Sequence, residues 1–337
     1  MRIRGLSSIP FTGILFMCLL FVGWVAAIAQ EQQPSSPSAA PASLDKTSKE
    51  PALDEKDPTP SPTVDLTPDA NGNLSQEQMQ ALFRVVADKD LENDKRLRNY
   101  TYVEHDVHTH LDGKGNVKSK EVKTYDVLEI YGEQVQKLIE KDDKPLDAKE
   151  AAKEDDKLQK IIDKRKNESD EDRRKREQKE EKERDDERKY VRDVADAYNF
   201  KLVGSETLEG RDTWVIDGDP RPGFVPHAKD GKYLSYFRGR VWIDKADMQL
   251  AKMDVESLDT ISWGLFLARI HKGSRFMLEQ TRVNDEVWLP LHVTFKVDLR
   301  LALVKGFHVD GEQTFRDYKK FRTSARIVSV GEIKQDQ

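Results

Sequence analysis

The stretch Leu291-His292-Val293-Thr294-Phe295-Lys296-Val297-Asp298-Leu299-Arg300-Leu301-Ala302-Leu303 decides the fold class. Positions 291, 293, 295, 297, 299, 301 and 303 are all apolar, with His292, Thr294, Lys296, Asp298 and Arg300 between them. Successive side chains of a strand point to opposite faces, so this period of two describes a strand that is dry on one side and polar on the other. At about 3.3 Å per residue the strand from Glu286 to Leu303 exceeds about 40 Å, far beyond the ordinary five or six residues. Strands of that length belong to strongly curved sheets or barrels.

The same signal extends in both directions. Gly311–Phe321 follows as a strand; Phe276–Asn284, Leu250–Leu258 and Phe237–Asp244 precede it. Further upstream, Lys201–Leu208 and Asp212–Asp217 flank the turn Glu209-Gly210-Arg211. Asp219 to Pro226 holds three prolines and a glycine, too many for a central strand, and reads as a loop. Nearer the N-terminus, Tyr100–Leu111 alternates, Asp112 to Asn116 turns, and Val117–Ile130 returns. Tyr131-Gly132-Glu133 then turns into Gln134–Glu140, completing an antiparallel meander. Ahead of it, Ser75 with Gln78 forms a capping-box pattern, and Met79, Leu82, Phe83, Val86 and Leu91 recur at helical spacing, which predicts a helix from Ser75 to Arg98. The fold class is α+β: a curved antiparallel sheet or incomplete β-barrel with helices on its concave side.

Residues 147–198 are different in kind. Between Asp163 and Lys189, 24 of 27 residues are charged, twelve of each sign, and no apolar stripe runs from Arg165 to Lys189. A helix without such a stripe neither joins a coiled coil nor packs in a core. Pairs four apart, such as Glu171 with Lys175, Glu180 with Arg184 and Asp185 with Lys189, support it in solvent. The spacing predicts a long solvated helix, broken near Asn167–Asp170, whose last turns (Tyr190, Val191, Val194, Tyr198) dock on the sheet.

The chain has 337 residues, 35% charged and 37% hydrophobic, with 56 basic against 62 acidic side chains and a formal net charge of −6. That balance argues against a nucleic-acid partner bound through bulk positive charge. Residues 1–29 read as a signal peptide for export: Arg2 and Arg4, an apolar run from Ile14 to Ile28, and the small-x-small Ala27-Ile28-Ala29. An uncleaved N-terminal membrane anchor is the alternative. The single cysteine, Cys18, lies inside this run, so a mature chain has no disulfide and no thiol nucleophile. Residues 30–75 are Pro/Ser-rich and read as a disordered linker. Residues 76–146 and 199–325 form the core domain around the charged insert, and 326–337 form a tail. The periplasm is the expected compartment.

No hydrolase elbow, Walker loop, GxGxxG or HExxH occurs, and Ser205 and Ser235 lack any nucleophile pattern, so no catalytic residue, metal site or cofactor is assigned. His105, His108 and His110 cluster, but on a strand His105 faces away from the other two, and a metal would need a further ligand such as His227 or Asp106. The unusual segment is Leu258–Ile270, in which Ile261, Trp263, Leu265, Phe266, Leu267 and Ile270 sit where a loop is expected. It is either a buried helix or strand that completes the core, or an apolar element that lines a cavity or touches lipid.

Two phrases carry a family resemblance: Gly239-Arg240-Val241-Trp242-Ile243-Asp244 followed by Lys252-Met253-Asp254-Val255, and Val287-Trp288-Leu289-Pro290 opening the long strand. With the export signal and leading helix, their order resembles the periplasmic lipoprotein-carrier superfamily (LolA, LolB and RseB). It also resembles a group of exported bacterial proteins of unknown function, in which Glu209-Gly210-Arg211-Asp212-Thr213 and Arg221-Pro222-Gly223-Phe224 look familiar. The resemblance covers roughly residues 76–140 and 190–325, and implies an incomplete barrel whose concave face holds acyl chains. Apolar patterning selects Trp242, Trp263, Phe266, Trp288, Phe295 and Leu299 as the expected groove lining. The expected partner is a lipid or lipoprotein acyl chain, bound without catalysis, with peripheral membrane contact. The alternative is a signalling or scaffold protein that binds an envelope protein through 147–198.

Overall fold

The computed structural model describes residues 67, 69, 74–263, 268–301 and 305–321. The expected signal peptide, most of the expected linker, Phe266, Leu303 and the expected tail lie outside the described residues, as does the side chain of Trp263.

The leading helix, α1 (Gln76–Leu97), starts where the capping box places it: Ser75 Oγ accepts from the Gln78 amide, and Gln78 Oε1 accepts from the Ser75 amide. Two otherwise unsatisfied N–H groups are thereby paired. Ser75→Ala should therefore lower the unfolding free energy by about 1 kcal/mol, readable as a lower urea midpoint at unchanged slope.

Strands β1 (Tyr100–Leu111), β2 (Val117–Ile130) and β3 (Glu133–Lys141) form the expected meander. Asp112 Oδ1 closes the first turn by accepting the amides of Lys114 and Asn116. Tyr131 and Gly132 make the second with φ of 51° and 81°, a left-handed pair that glycine makes easy. A two-residue strand, β4 (Lys144–Pro145), adds to the edge. The charged insert is two helices, α2 (Ala148–Lys166) and α3 (Asp170–Ala197), broken at 167–169. All three expected ion pairs form: Glu171–Lys175 at 2.6 Å, Glu180–Arg184 at 3.9 Å and Asp185–Lys189 at 2.5 Å. The last turns of α3 bury Tyr190, Val191, Ala195 and Ala197.

The remaining strands are β5 (Tyr198–Leu208), β6 (Arg211–Pro220), β7 (Phe237–Asp244) and β8 (Leu250–Ser257). They continue as β9 (Ile261–Trp263), β10 (Ala268–Ile270), β11 (Arg275–Val283), β12 (Val287–Leu301) and β13 (Lys305–Lys320). The described part of the Leu258–Ile270 segment is thus two short paired strands, with β10 also pairing the end of β12. β13 begins earlier than Gly311 because β12 provides a long paired edge, with Lys305 opposite Leu301. All pairings are antiparallel, in the order β4-β3-β2-β1-β13-β12-β11-β8-β7-β6-β5, an open and curved sheet.

The main core lies between one face of this sheet, called the inner face below, and the two helices that cover it. Met79, Leu82, Phe83 and Val86 of α1 and Tyr190, Ala195 and Ala197 of α3 meet Phe200, Ile216, Met253, Leu278, Val293 and Phe295. Phe83 stacks on Phe200 at 3.9 Å. The Pro/Gly loop is fastened by Asp193 of α3, whose fully buried carboxylate accepts the amides of His227 and Ala228. No helix among the described residues is long and apolar enough to cross a membrane.

Candidate functional site

Strand register defines rows of side chains across the inner face. One row runs Ile216, Val241, Met253, Leu278, Val293, Gln313, Asp106, Lys123. The next runs Gly218, Gly239, Val255, Phe276, Phe295, Gly311, His108, Glu121 over the same strands. Both rows are apolar or glycine from β6 to β12 and become polar between β13 and β2. Near the far end of β12 a third, wholly apolar row joins Ile261, Ile270, Leu299 and Phe307. Ile261, Ile270 and Leu299 are each buried.

Phe295 sits at the junction. Its ring lies flat over Gly311, filling the space that a β-carbon there would occupy, and meets the His108 ring edge-on at 5.7 Å. Beyond His108 opens a small cleft lined by Asp106, His108, Glu121, Lys123 and Tyr125. Behind the cleft lies Glu104, 4% exposed, which accepts from Gln136 at 2.8 Å and Gln313 at 3.1 Å; Gln313 also donates to Asp106 at 3.1 Å. Tyr102, in ring contact with Phe315 and Tyr318, flanks this group.

Water is scarce around Glu104, and the titrations of the group respond. Burial and then the neighbouring Asp106 hold the Glu104 carboxyl well above the usual carboxylate range. Burial pushes Asp106 up to about 6, opposed by hydrogen bonds from Gln313 and Glu104. Burial lowers His108 to about 4, and raises Tyr102 and Tyr125. A proton shared between Glu104 and Asp106 relieves their repulsion, as it does wherever two carboxyls occupy one dry site. At neutral pH the cleft therefore offers a neutral imidazole, a carboxyl pair of reduced charge and the ammonium of Lys123, which pairs with Glu121 at 2.7 Å.

Of the six residues selected by apolar patterning, the four whose side chains are described fall on two different sides of the sheet. Phe295 and Leu299 share the inner face and are 4% and 2% exposed. Trp242 alternates with Ile243 and Val241 of the core, so its indole projects from the opposite face. There it donates to Glu206 at 2.8 Å, under the Lys252 ammonium at 5.2 Å. Trp288, between the buried Val287 and Leu289, also turns away from them. It donates to Asp247 at 2.9 Å and stacks beneath the Arg211 guanidinium at 5.3 Å. Trp263 (side chain) and Phe266 lie outside the described residues.

That opposite face explains the sequence phrases. Arg211 of Glu209-Gly210-Arg211 forms a two-pronged bond with Asp244, the last residue of Val241-Trp242-Ile243-Asp244, and lies against Trp288 of Val287-Trp288-Leu289-Pro290. Three separate phrases thus build one ion-pair and indole cluster, which Asp247 and Arg282 complete. Of the histidines, His108 and His110 do share the inner face, while His105 turns to Thr124 and His227 is held by Asp193 elsewhere. Among the described residues no group of three His, Cys, Asp or Glu side chains is placed to hold a metal ion.

Sequence reasoning missed Glu104, Gln136, Gln313 and Gly311. The available signal was the run of polar residues at 104, 106, 108 and 110 on a single face of β1, which in an isolated strand reads as a wet face.

No protein-family model matches the chain, and no curated protein matches it. Among solved structures it is similar to a domain described as an outer membrane lipoprotein-sorting protein from Vibrio parahaemolyticus. There the identity is 11%, with 73% of this chain and 95% of that one covered, at a TM-score of 0.30. A DUF1329 family protein from Desulfovibrio piger matches at 11% identity over 74% and 95% of the two chains, with a TM-score of 0.30. A LolA superfamily protein from Nitrosomonas europaea matches at 11% identity over 71% and 93%, with a TM-score of 0.26.

Proposed function

We propose that this is an exported envelope protein that binds an amphipathic ligand on the inner face of its sheet, without catalysis. The acyl chain of a lipid or lipoprotein takes the place of part of the cover over Phe295, Leu299 and their row neighbours, and the ligand's polar end meets the cleft at Asp106, His108 and Lys123. The supporting observation is the change of character along single rows of one face, from apolar or glycine on β6–β12 to polar on β13–β2, where Gln313 is buried and Asp106, His108 and Lys123 are half-buried, with Phe295 touching His108 at the boundary. Burial of the chain supplies the affinity at about 25 cal/mol per Å² of apolar surface, and release follows contact with a better apolar sink.

Native mass spectrometry with lipid extraction on protein purified from a bacterial periplasm tests this. A stoichiometric acyl ligand is expected in the wild type, and its loss in a folded Phe295→Asp, Leu299→Asp double variant. A wild type that stays free of ligand and takes up no added phospholipid or lipopeptide refutes the proposal.

A further inference from the structure

The contact between α1 and α3 contains a feature that ligand binding does not require. α1 carries Asp90 and, one turn on, Asp94; α3 brings Glu187 to the same place, close enough for each charge to act on another. Asp90 is only 4% exposed, and its Oδ1 has no hydrogen-bond partner among the described residues. Asp94 pairs with Arg98, the C-cap residue of α1, at 2.6 Å. Elsewhere along the contact the helices attract: Arg84 pairs with Asp196 at 3.0 Å and Asp88 with Arg192 at 3.9 Å, both on the solvent side. Beside the apolar contact of Val86 and Tyr190, the interface therefore holds one buried acid, Asp90, with the half-buried Asp94 and Glu187 next to it, while its exposed side carries a pair of salt bridges.

We propose that this interface is a proton-operated latch, in which the end of α3 stays seated on α1 and the core while the acids hold protons, and loosens when they ionise. The charged groups that act there are Asp94, Lys95 and Arg98 from α1 and Arg184, Glu187 and Arg188 from α3. From the sheet, α1 is held by Asn93, bonded to the Trp288 backbone, and by Arg96, bonded to the Glu286 carbonyl; neither bond titrates near neutrality. Burial, then Asp94 and Glu187, keep the Asp90 carboxyl well above its ordinary range. Burial and then Asp94 push Glu187 up to about 8, against Arg98, Arg188 and Arg184.

The sign follows from linkage. The docked state holds protons that the undocked state, with ordinary carboxylates, has released. Docking is thus strongest in acid and weakens as pH rises from the ordinary carboxylate value, with the part due to Glu187 lost by about 8. Loosening uncovers the part of the core that Tyr190, Ala195 and Ala197 cover, next to Phe200 and Leu234.

Hydrogen exchange by mass spectrometry on the full chain, at pH 5.5 and 8.5 with intrinsic rates corrected, reads the latch directly. Amides of the last turns of α3 should lose protection about tenfold or more at the higher pH, while those of β7 in the same core keep theirs. An Asp90→Asn, Glu187→Gln variant should stay protected at both values. Equal protection of wild-type α3 at the two values overturns the latch, as does a folded double variant that keeps the wild-type response. The readout needs no ligand, so the latch can fail while the ligand-binding proposal stands, and the reverse.

Discussion

Asp244→Ala should destabilise the protein by about 3 kcal/mol, seen as a reduced urea midpoint. The Asp244 side chain is 1% exposed and takes both prongs of Arg211 at 2.7 and 2.8 Å, while its Oδ1 also accepts the amides of Ala246 and Asp247. Alanine leaves those two amides without their acceptor in a turn that must reverse the chain between β7 and β8. It also leaves Arg211 with Asp247, at 3.0 Å, as its remaining close carboxylate among the described residues. The cost is the penalty for stranding buried polar partners, which exceeds the net worth of a surface pair. Asp244→Asn keeps an oxygen for the amides and should recover part of the loss. A loss below about 1 kcal/mol in the alanine variant would show that the cluster joining the three sequence phrases is not a structural anchor.

Gly311→Ala should cost about 2 kcal/mol, and the reason is a single ring. A β-carbon at Gly311 would fall within the Phe295 ring, so the aromatic side chain must leave its rotamer or the strands must part. Phe295→Ala alone should cost about 3 kcal/mol, from lost burial and the void left behind. In the double variant the new methyl occupies part of that void, so the combined loss should fall short of the sum by at least about 1 kcal/mol. Strict additivity would mean that the ring does not rest on Gly311. Because Phe295 also meets His108, displacing it should weaken ligand retention along with stability, which links this measurement to the proposed groove.

Most of the elements were legible from local pattern because their causes are local. The 291–303 alternation marked the long strand; the described residues carry it to Leu301, with Val293, Phe295 and Leu299 buried as the period requires. The Ser75–Gln78 box set the start of α1, and Asn167–Asp170 marked the break between α2 and α3, since capping and breaking depend on neighbours within a turn. The balanced charge run read as a solvated helix because its partners are three and four residues away on the same helix.

The candidate site was legible only where apolarity sufficed. Phe295 and Leu299 could be chosen from alternation alone. The tryptophans could not be assigned to a face, because an indole is both a large apolar body and a hydrogen-bond donor, and either face of a covered sheet can use one. Trp242 found Glu206 and Trp288 found Asp247, partners separated by 36 and 41 residues. Glu104 looked like any strand-surface acid until Gln136 and Gln313, 32 and 209 residues away, closed over it.

By itself the sequence determined the α+β class, the chain order of the major strands, a charged helical insert with a break near Asn167–Asp170 and the ends of α1. These follow from periodicity, capping and turn chemistry, which act within a few residues. Only the tertiary structure decided which side of each strand is dry, that three distant phrases share one ion-pair cluster, and that acids on β1, α1 and α3 are buried. Burial, and with it the cost of a charge or an unpaired oxygen, is set by what the rest of the chain places on top of a residue, and that is not a property of the residue's neighbours in sequence.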